Sequence, residues 1–183
     1  MKWFIASDIH GSGFYFEKLL NAYKKENCSR LILLGDILYH GPRNDLPEDY
    51  APKSIIPKLN EIKNDIVCVR GNCEAEVDNM VLEFDCMADY ALLPYKNNTI
   101  FITHGHRYNT STPPSLKKGD ILLHGHTHVP VCEDKGDYTY INPGSVSIPK
   151  ENSWHGYMIF EDGVFTWKDL DMNIKMQFKM EDK

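Results

Sequence analysis

Residues 3 to 11 read W-F-I-A-S-D-I-H-G, a short apolar run that meets an acid, a histidine and a glycine. The run predicts a strand over 3 to 7, and the residues behind it are of the kinds that ligate metals or turn sharply. The pattern recurs along the chain: L-I-L-L-G-D (31 to 36), D-I-V-C-V-R-G-N-C-E (65 to 74), T-I-F-I-T-H-G-H (99 to 106) and D-I-L-L-H-G-H-T-H (120 to 128). Helix-length segments near 13 to 26 and 53 to 63 alternate with the early strands, which reads as α/β. In such sheets the carboxyl ends of strands converge on one crevice. Asp8, His10, Asp36, Asn72, His104, His126 and His128 are therefore expected to meet there as metal ligands.

Taken singly, a Gly-Asp or Gly-Asn pair is a turn, and an isolated histidine is a surface or hydrogen-bonded residue. Five such pieces in order, each behind a separate strand-like run, are what point to a metal site. The flanking glycines fit the tight turns of a crowded crevice. The D-x-H spacing at 8 and 10, and the H-x-H spacing at 126 and 128, are expected to act in extended backbone. There, residues two apart face the same side and grip one ion.

The rest of the chain sets bounds. Strands are expected at 139 to 142, 156 to 160 and 164 to 170, and residues 35 to 52 form a long loop beside the crevice. The 183 residues are expected to form one domain, 1–183. With 42% hydrophobic and 25% charged residues the composition is that of an ordinary folded chain. A net charge of -6 argues against generic coating of nucleic acid. No apolar run is long enough for a membrane span. Five cysteines without a C-x-x-C pair speak against a disulfide framework, so a reducing compartment, the cytoplasm, is expected.

The series D-I-H (8 to 10), L-L-G-D (33 to 36), R-G-N-C-E (70 to 74), T-H-G-H (103 to 106) and G-H-T-H (125 to 128) resembles the calcineurin-like metallophosphoesterase superfamily. The details H-G-P-R-N (40 to 44), Y-A-P (50 to 52) and N-P-G-S-V-S-I-P-K (142 to 150) look closer still to the YfcE-type bacterial phosphodiesterases. The resemblance implies a two-sheet β sandwich flanked by helices, in four layers α/β/β/α. It implies a first ion held by Asp8, His10, Asp36 and His128, and a second held by Asp36, Asn72, His104 and His126, with Asp36 bridging. Mn2+ is the first choice for both, with Fe, Co, Ni and Zn open, because ligand type alone does not separate these metals. The implied activity is phosphodiester hydrolysis by a hydroxide held between the ions. The expected partner is a small phosphodiester substrate, with a homo-oligomer left open.

The superfamily's G-N-H-[DE] reads G-N-C-E here. Cys73 stands where a histidine usually serves the transition state, and a thiol does that work less well at neutral pH. His106 is a candidate substitute acid. Arg43 is a candidate clamp for a phosphate oxygen, or an exposed loop residue with His40 and Asn44. Asn142-Pro143-Gly144-Ser145 reads as a structural turn or as hydrogen-bond support for the ligands. Three other readings stand beside the phosphodiesterase: a phosphomonoesterase, a nuclease, and a scaffold of the same fold like the retromer subunit. Retention of all seven ligands disfavours the scaffold, and the acidic chain disfavours the nuclease.

Overall fold

Strand β1 (Lys2–Ala6) faces two cores at once: Phe4 and Ala6 point to one, Trp3 and Ile5 to the other. This alternation follows from the two-residue period of a strand. It explains why the run is apolar throughout instead of alternating with polar residues. In this computed structural model, which describes residues 1–181, the first core lies between the sheet and helices α1 (Gly13–Glu26) and α2 (Pro52–Glu61). The second lies between two sheets.

The first sheet has the order β11-β10-β9-β1-β2-β3. Here β2 is Arg30–Leu33, β3 Ile66–Cys68, β9 Gly156–Glu161, β10 Val164–Asp169 and β11 Ile174–Lys179. The second has the order β4-β5-β6-β8-β7, with β4 Tyr90–Tyr95, β5 Asn98–Thr103, β6 Asp120–Leu123, β7 Pro130–Asp134 and β8 Tyr138–Pro143. β1 pairs parallel to β2 and β2 to β3, while β5 pairs parallel to β6 and β6 to β8. Each parallel set therefore delivers its carboxyl ends to a single edge. Between the sheets, Trp167, Phe160 and Phe165 are fully buried. Each contributes roughly 1.5–3 kcal/mol of apolar burial, which holds the two edges in register.

Local signals account for the helices. Ser12 caps α1 by accepting from the Tyr15 amide at 3.3 Å. Asn27, left-handed at φ 51°, stops it behind Lys24 and Lys25. Pro52 opens α2 at a position where its missing N–H costs nothing. The second helix ends at Glu61, two residues short of the expected 63, because the chain tightens into a 3-10 turn at Lys63–Asp65.

The two-sheet sandwich flanked by helices is present, with one difference in its layers. A third helix, α3 (Glu76–Val81), joins α2 on the first-sheet side, where the Asn60 side chain donates to the Val81 carbonyl at 2.9 Å. Among the described residues no helix covers the outer face of the second sheet. Tyr108 packs edge-on against Phe101 and Tyr90 instead.

Candidate metal centre

The residues behind β1 and β2 are zipped together. The Asp8 amide donates to the Gly35 carbonyl at 3.1 Å, His10 to Asp36 at 2.9 Å and Gly11 to Ile37 at 2.8 Å. Asp8, His10, Asp36, His126 and His128 all have positive φ, between 50° and 68°. The extended geometry expected for the D-x-H and H-x-H pairs is therefore wrong. Each chain must reverse directly behind its strand, and left-handed residues make that reversal, at a cost of about 1–2 kcal/mol each. His126 and His128 do not face one point either. The His128 Nε2 lies 3.2 Å from Asp8 Oδ1 and 3.3 Å from His10 Nε2, whereas the His126 Nδ1 lies 3.1 Å from His104 Nε2.

Close approach explains two glycines. A Cβ at Gly71 would stand 2.1 Å from Asp36 Oδ1, and one at Gly125 would stand 1.9 Å from Ser7 Oγ. Only glycine lets these loops cross the carboxylates.

Five of the seven side chains lie in overlapping buried sets. Asp8, His10 and His128 are a compact buried set, and Asp8, Asp36 and His104 are another. Asp8 belongs to both, and Asp36 Oδ2 reaches towards each, 3.7 Å from His10 Nε2 and 3.4 Å from His104 Nε2. Asn72 completes the second group, its Oδ1 3.1 Å from His104 Nε2, with the amide held by donation to Cys73 Sγ at 3.2 Å.

The imidazole tautomers show what the cluster needs. His10 Nδ1 donates to the Tyr39 carbonyl at 2.9 Å, His104 Nδ1 to the Leu34 carbonyl at 2.7 Å and His128 Nδ1 to the Ile148 carbonyl at 2.7 Å. A carbonyl only accepts, so each neutral ring spends its single proton outward. Three Nε2 lone pairs then face one another and two carboxylates. Asp8 Oδ1 is fully buried without a hydrogen-bond partner. Acceptors turned on acceptors are costly unless a cation stands between them, and a backbone carbonyl behind each imidazole is the usual arrangement at metals. The nitrogen and carboxylate donors suit divalent transition ions.

Without metal, protons take over part of that duty. Burial alone would lower His104, but its bond to Asp36 and the charges of Asp8 and Asp36 outweigh this and raise it to about 9. Burial would raise Asp8 and Asp36, but interactions with the neighbouring imidazoles outweigh it and lower both. His126 is shifted down, by burial and then by the charge of His104.

A second layer of contacts fixes the loops. Glu74 is buried and accepts from the amides of Asp36 at 2.9 Å and Ile37 at 2.7 Å, as well as from Gly71. Burial and the Asp36 charge raise it to about 6. Ser145 and Ser147 donate to the Asp8 carbonyl at 2.9 and 3.1 Å. Asn142 donates to the Gly125 carbonyl at 2.8 Å and to Thr127 at 3.0 Å. The segment from Asn142 thus supports the ligand loops and is more than a turn. Sequence spacing assigns no role to Glu74 or Ser147, whereas Ser145 lies in the segment read as a turn or as hydrogen-bond support. The signal for Glu74 was its place directly behind G-N-C, as a fixed acceptor for turn amides.

The other candidates lie around this centre. A cavity of about 250 Å³ is lined by Asp36, Asn72, His126 and His128 together with Arg43, Asn44 and Lys150. Arg43 therefore borders the centre, and Lys150, which sequence reasoning passed over, faces it from the opposite loop. His106 is half-buried, its ring 5.5 Å from that of His104. Burial, then the charge of His104, lowers it to about 4, so it is neutral at pH 7. The Cys73 amide donates to Asp36 Oδ1 at 2.9 Å. Burial and the nearby acids push its thiol well above the usual range, which keeps it protonated. All five cysteines are free.

Among the described residues no helix is long and apolar enough to cross a membrane. The profile of the calcineurin-like phosphoesterase superfamily domain matches residues 1–162. The chain is 42% identical over 166 residues to phosphodiesterase YfcE of Escherichia coli K12, covering 91% of this chain and 90% of that protein. It is 26% identical over 152 residues to phosphodiesterase MJ0936 of Methanocaldococcus jannaschii, covering 79% and 83%. The solved structure of YfcE, described as a phosphoesterase from E. coli, superposes with a TM-score of 0.95 at 41% identity over 99% of this chain and 100% of the other. Vps29 of Entamoeba histolytica shares the fold alone, at TM-score 0.64 and 16% identity over 99% and 100% of the chains. With the family profile spanning nearly the whole sequence and the histidine and carboxylate cluster at the strand ends, this chain belongs to the calcineurin-like phosphoesterase superfamily.

Proposed function

We propose that the chain is a cytoplasmic phosphodiesterase that uses two divalent ions, Mn2+ by first choice, and takes small phosphodiester substrates. The observation that carries this reading is the convergence of imidazole Nε2 atoms and carboxylates around Asp36, with Asp8 Oδ1 buried and without a hydrogen-bond partner. The names of YfcE and MJ0936 support the diester as substrate class. When bound, the ions supply an activated water and neutralise charge on the phosphoryl group.

The residues of the chain do the rest. Asp8, His10, Asp36 and His128 hold one ion and Asp36, Asn72, His104 and His126 the other. Arg43 and Lys150 border the same cavity and orient the non-bridging phosphate oxygens. Ser145, Ser147 and Glu74 keep the left-handed loops from relaxing. Cys73, as a protonated thiol, is no nucleophile, so hydrolysis proceeds without a covalent enzyme intermediate. With neutral His106 and a thiol in place of an acidic group, substrates with good leaving groups are favoured.

The test is metal removal. Chelation followed by buffer exchange should abolish hydrolysis of an aryl diester, and Mn2+ should restore it. The same return of metal should raise the melting temperature, since an ion at about a hundred times its Kd adds roughly 2.7 kcal/mol. Full turnover in verified metal-free protein would refute the proposal.

A further inference from the structure

A second cavity, of about 360 Å³, opens on the other side of Cys73. Its walls are mostly apolar and aromatic, chiefly Tyr39, Tyr50, Ile56 and Val77, with Lys53 and Asp78 beside them. The Cys73 Sγ belongs to both places. It lines this groove, and it lies within 4.8 Å of the ligand atoms of His10 and Asp36. Tyr39 likewise joins the two, because its carbonyl holds His10 Nδ1 at 2.9 Å while its side chain lines the groove.

The groove is preformed. The His40 ring stands edge-on to Tyr39 at 4.7 Å and to Tyr50 at 5.2 Å, fixing the two aromatic walls. The loop carrying them is tied down by Asn44 donating to the His40 carbonyl at 2.8 Å and by Ser12 donating to the Glu48 carbonyl at 2.6 Å. Yet three of its large hydrophobic residues stand in water, Val77 at 59%, Tyr39 at 42% and Val81 at 38% exposure. Held open, such a patch marks a place where something apolar docks.

Resting on the phosphodiesterase reading above, we infer that this groove is the subsite for a planar aromatic group of the substrate ester. The division of labour is one of polarity. The cavity with Arg43, Asn44 and Lys150 suits the phosphoryl oxygens, and the groove beyond Cys73 suits the organic substituent. The Cys73 side chain at the junction suits that role, since a cysteine packs as a small apolar surface. Flat aromatic faces at Tyr39 and Tyr50 favour a ring over a branched aliphatic chain.

Calorimetry on the Mn2+-loaded full chain tests this with three probes: inorganic phosphate, methylphosphonate and phenylphosphonate. Phenylphosphonate should bind about tenfold more tightly than methylphosphonate, the size of preference expected from partial burial of one ring. Its ring current should shift the Val77 and Val81 methyl resonances, which methylphosphonate should leave in place. Val77→Asn should bring the affinity ratio toward one, and Val77→Ile should keep it. Val77 is exposed in the first turn of α3, so both variants are expected to fold. Equal affinities with no methyl shifts, while phosphate still binds and the diester is still hydrolysed, would overturn the subsite alone. If neither phosphate nor either phosphonate binds the loaded protein, the metal reading and the subsite fall together.

Discussion

β1 has a buried acidic cluster at each end, and the two are built on opposite principles. At its start Glu26, 7% exposed, receives Lys168 at 2.6 Å, Tyr157 at 3.0 Å and Lys2 at 3.1 Å. Every acceptor there has a donor. Behind its end, Asp8 Oδ1 has none, and the imidazoles nearby direct their protons away to backbone carbonyls. A buried carboxylate surrounded by its own counter-charges is finished as the chain folds. One surrounded by other acceptors is finished only by something from outside. Satisfaction of the polar groups, more than burial or charge, separates the structural cluster from the functional one.

Three experiments put this contrast under strain. Removing the shared acid should have the largest effect: Asp36→Asn should cut kcat/KM about 100-fold or more with its melting temperature near that of wild type. Asn44→Ala, which removes a loop contact to the His40 carbonyl and part of the cavity wall but no candidate metal ligand, should cost less by comparison. Comparable small losses in both would make Asp36 an ordinary turn residue.

The next effect is on pH. His104 is raised to about 9 in the metal-free chain, above its ordinary 6.5. The proton's contribution to stability is therefore fully present below 6.5 and is lost as pH rises through about 9. A metal must displace that proton, so apparent Mn2+ affinity should rise up to about tenfold per unit as pH climbs toward 9. Metal-free protein should melt higher at pH 6.5 than at pH 9, whereas calorimetric Mn2+ binding should strengthen in the opposite direction. Parallel trends would contradict the assignment of Nε2 to the ion.

The smallest effect on activity belongs to the other end of β1. Glu26→Gln should lower stability by about 2 kcal/mol, discounted for the partial exposure of Lys2 and Lys168, and leave kcat/KM unchanged at a temperature where the variant is folded. Burial would raise Glu26, but its bonds to Lys168, Lys2 and Tyr157 outweigh this and hold it below its ordinary 4.5. The stabilisation is thus present above 4.5 and lost as pH falls through the lower folded value, so denaturant melts of wild type and variant should converge in acid. A loss of turnover in the folded variant would mean that this cluster is not merely structural.

The strands found by reading alone were those of the sheet interiors, where continuous apolar runs announce burial on both faces, together with the parallel edge strand β3. β4, β7 and β11 escaped that reading, and all three are sheet edges. β4 carries Pro94, β7 opens with Pro130 and ends in two acids, and β11 mixes Lys175 and Lys179 with its apolar residues. Edges are blunted with proline and charge, which erases the pattern that marks a strand. α3 has six residues, too few to show a period.

The sequence by itself determined the types of the candidate ligands, their order and their place behind strands, because those depend on side-chain chemistry and strand pattern. Only the tertiary structure decided that Asp8, His10, Asp36, His126 and His128 turn left-handed, that His126 and His128 face different partners, and that Asp36 reaches towards both His10 and His104. It also decided which carbonyls accept the imidazole protons, that Glu74 binds turn amides, and that Cys73 lines an apolar groove while lying close to His10 and Asp36. Each of these depends on backbone brought from a distant part of the chain. A one-dimensional pattern records which side chain is offered, but not what the fold places opposite it.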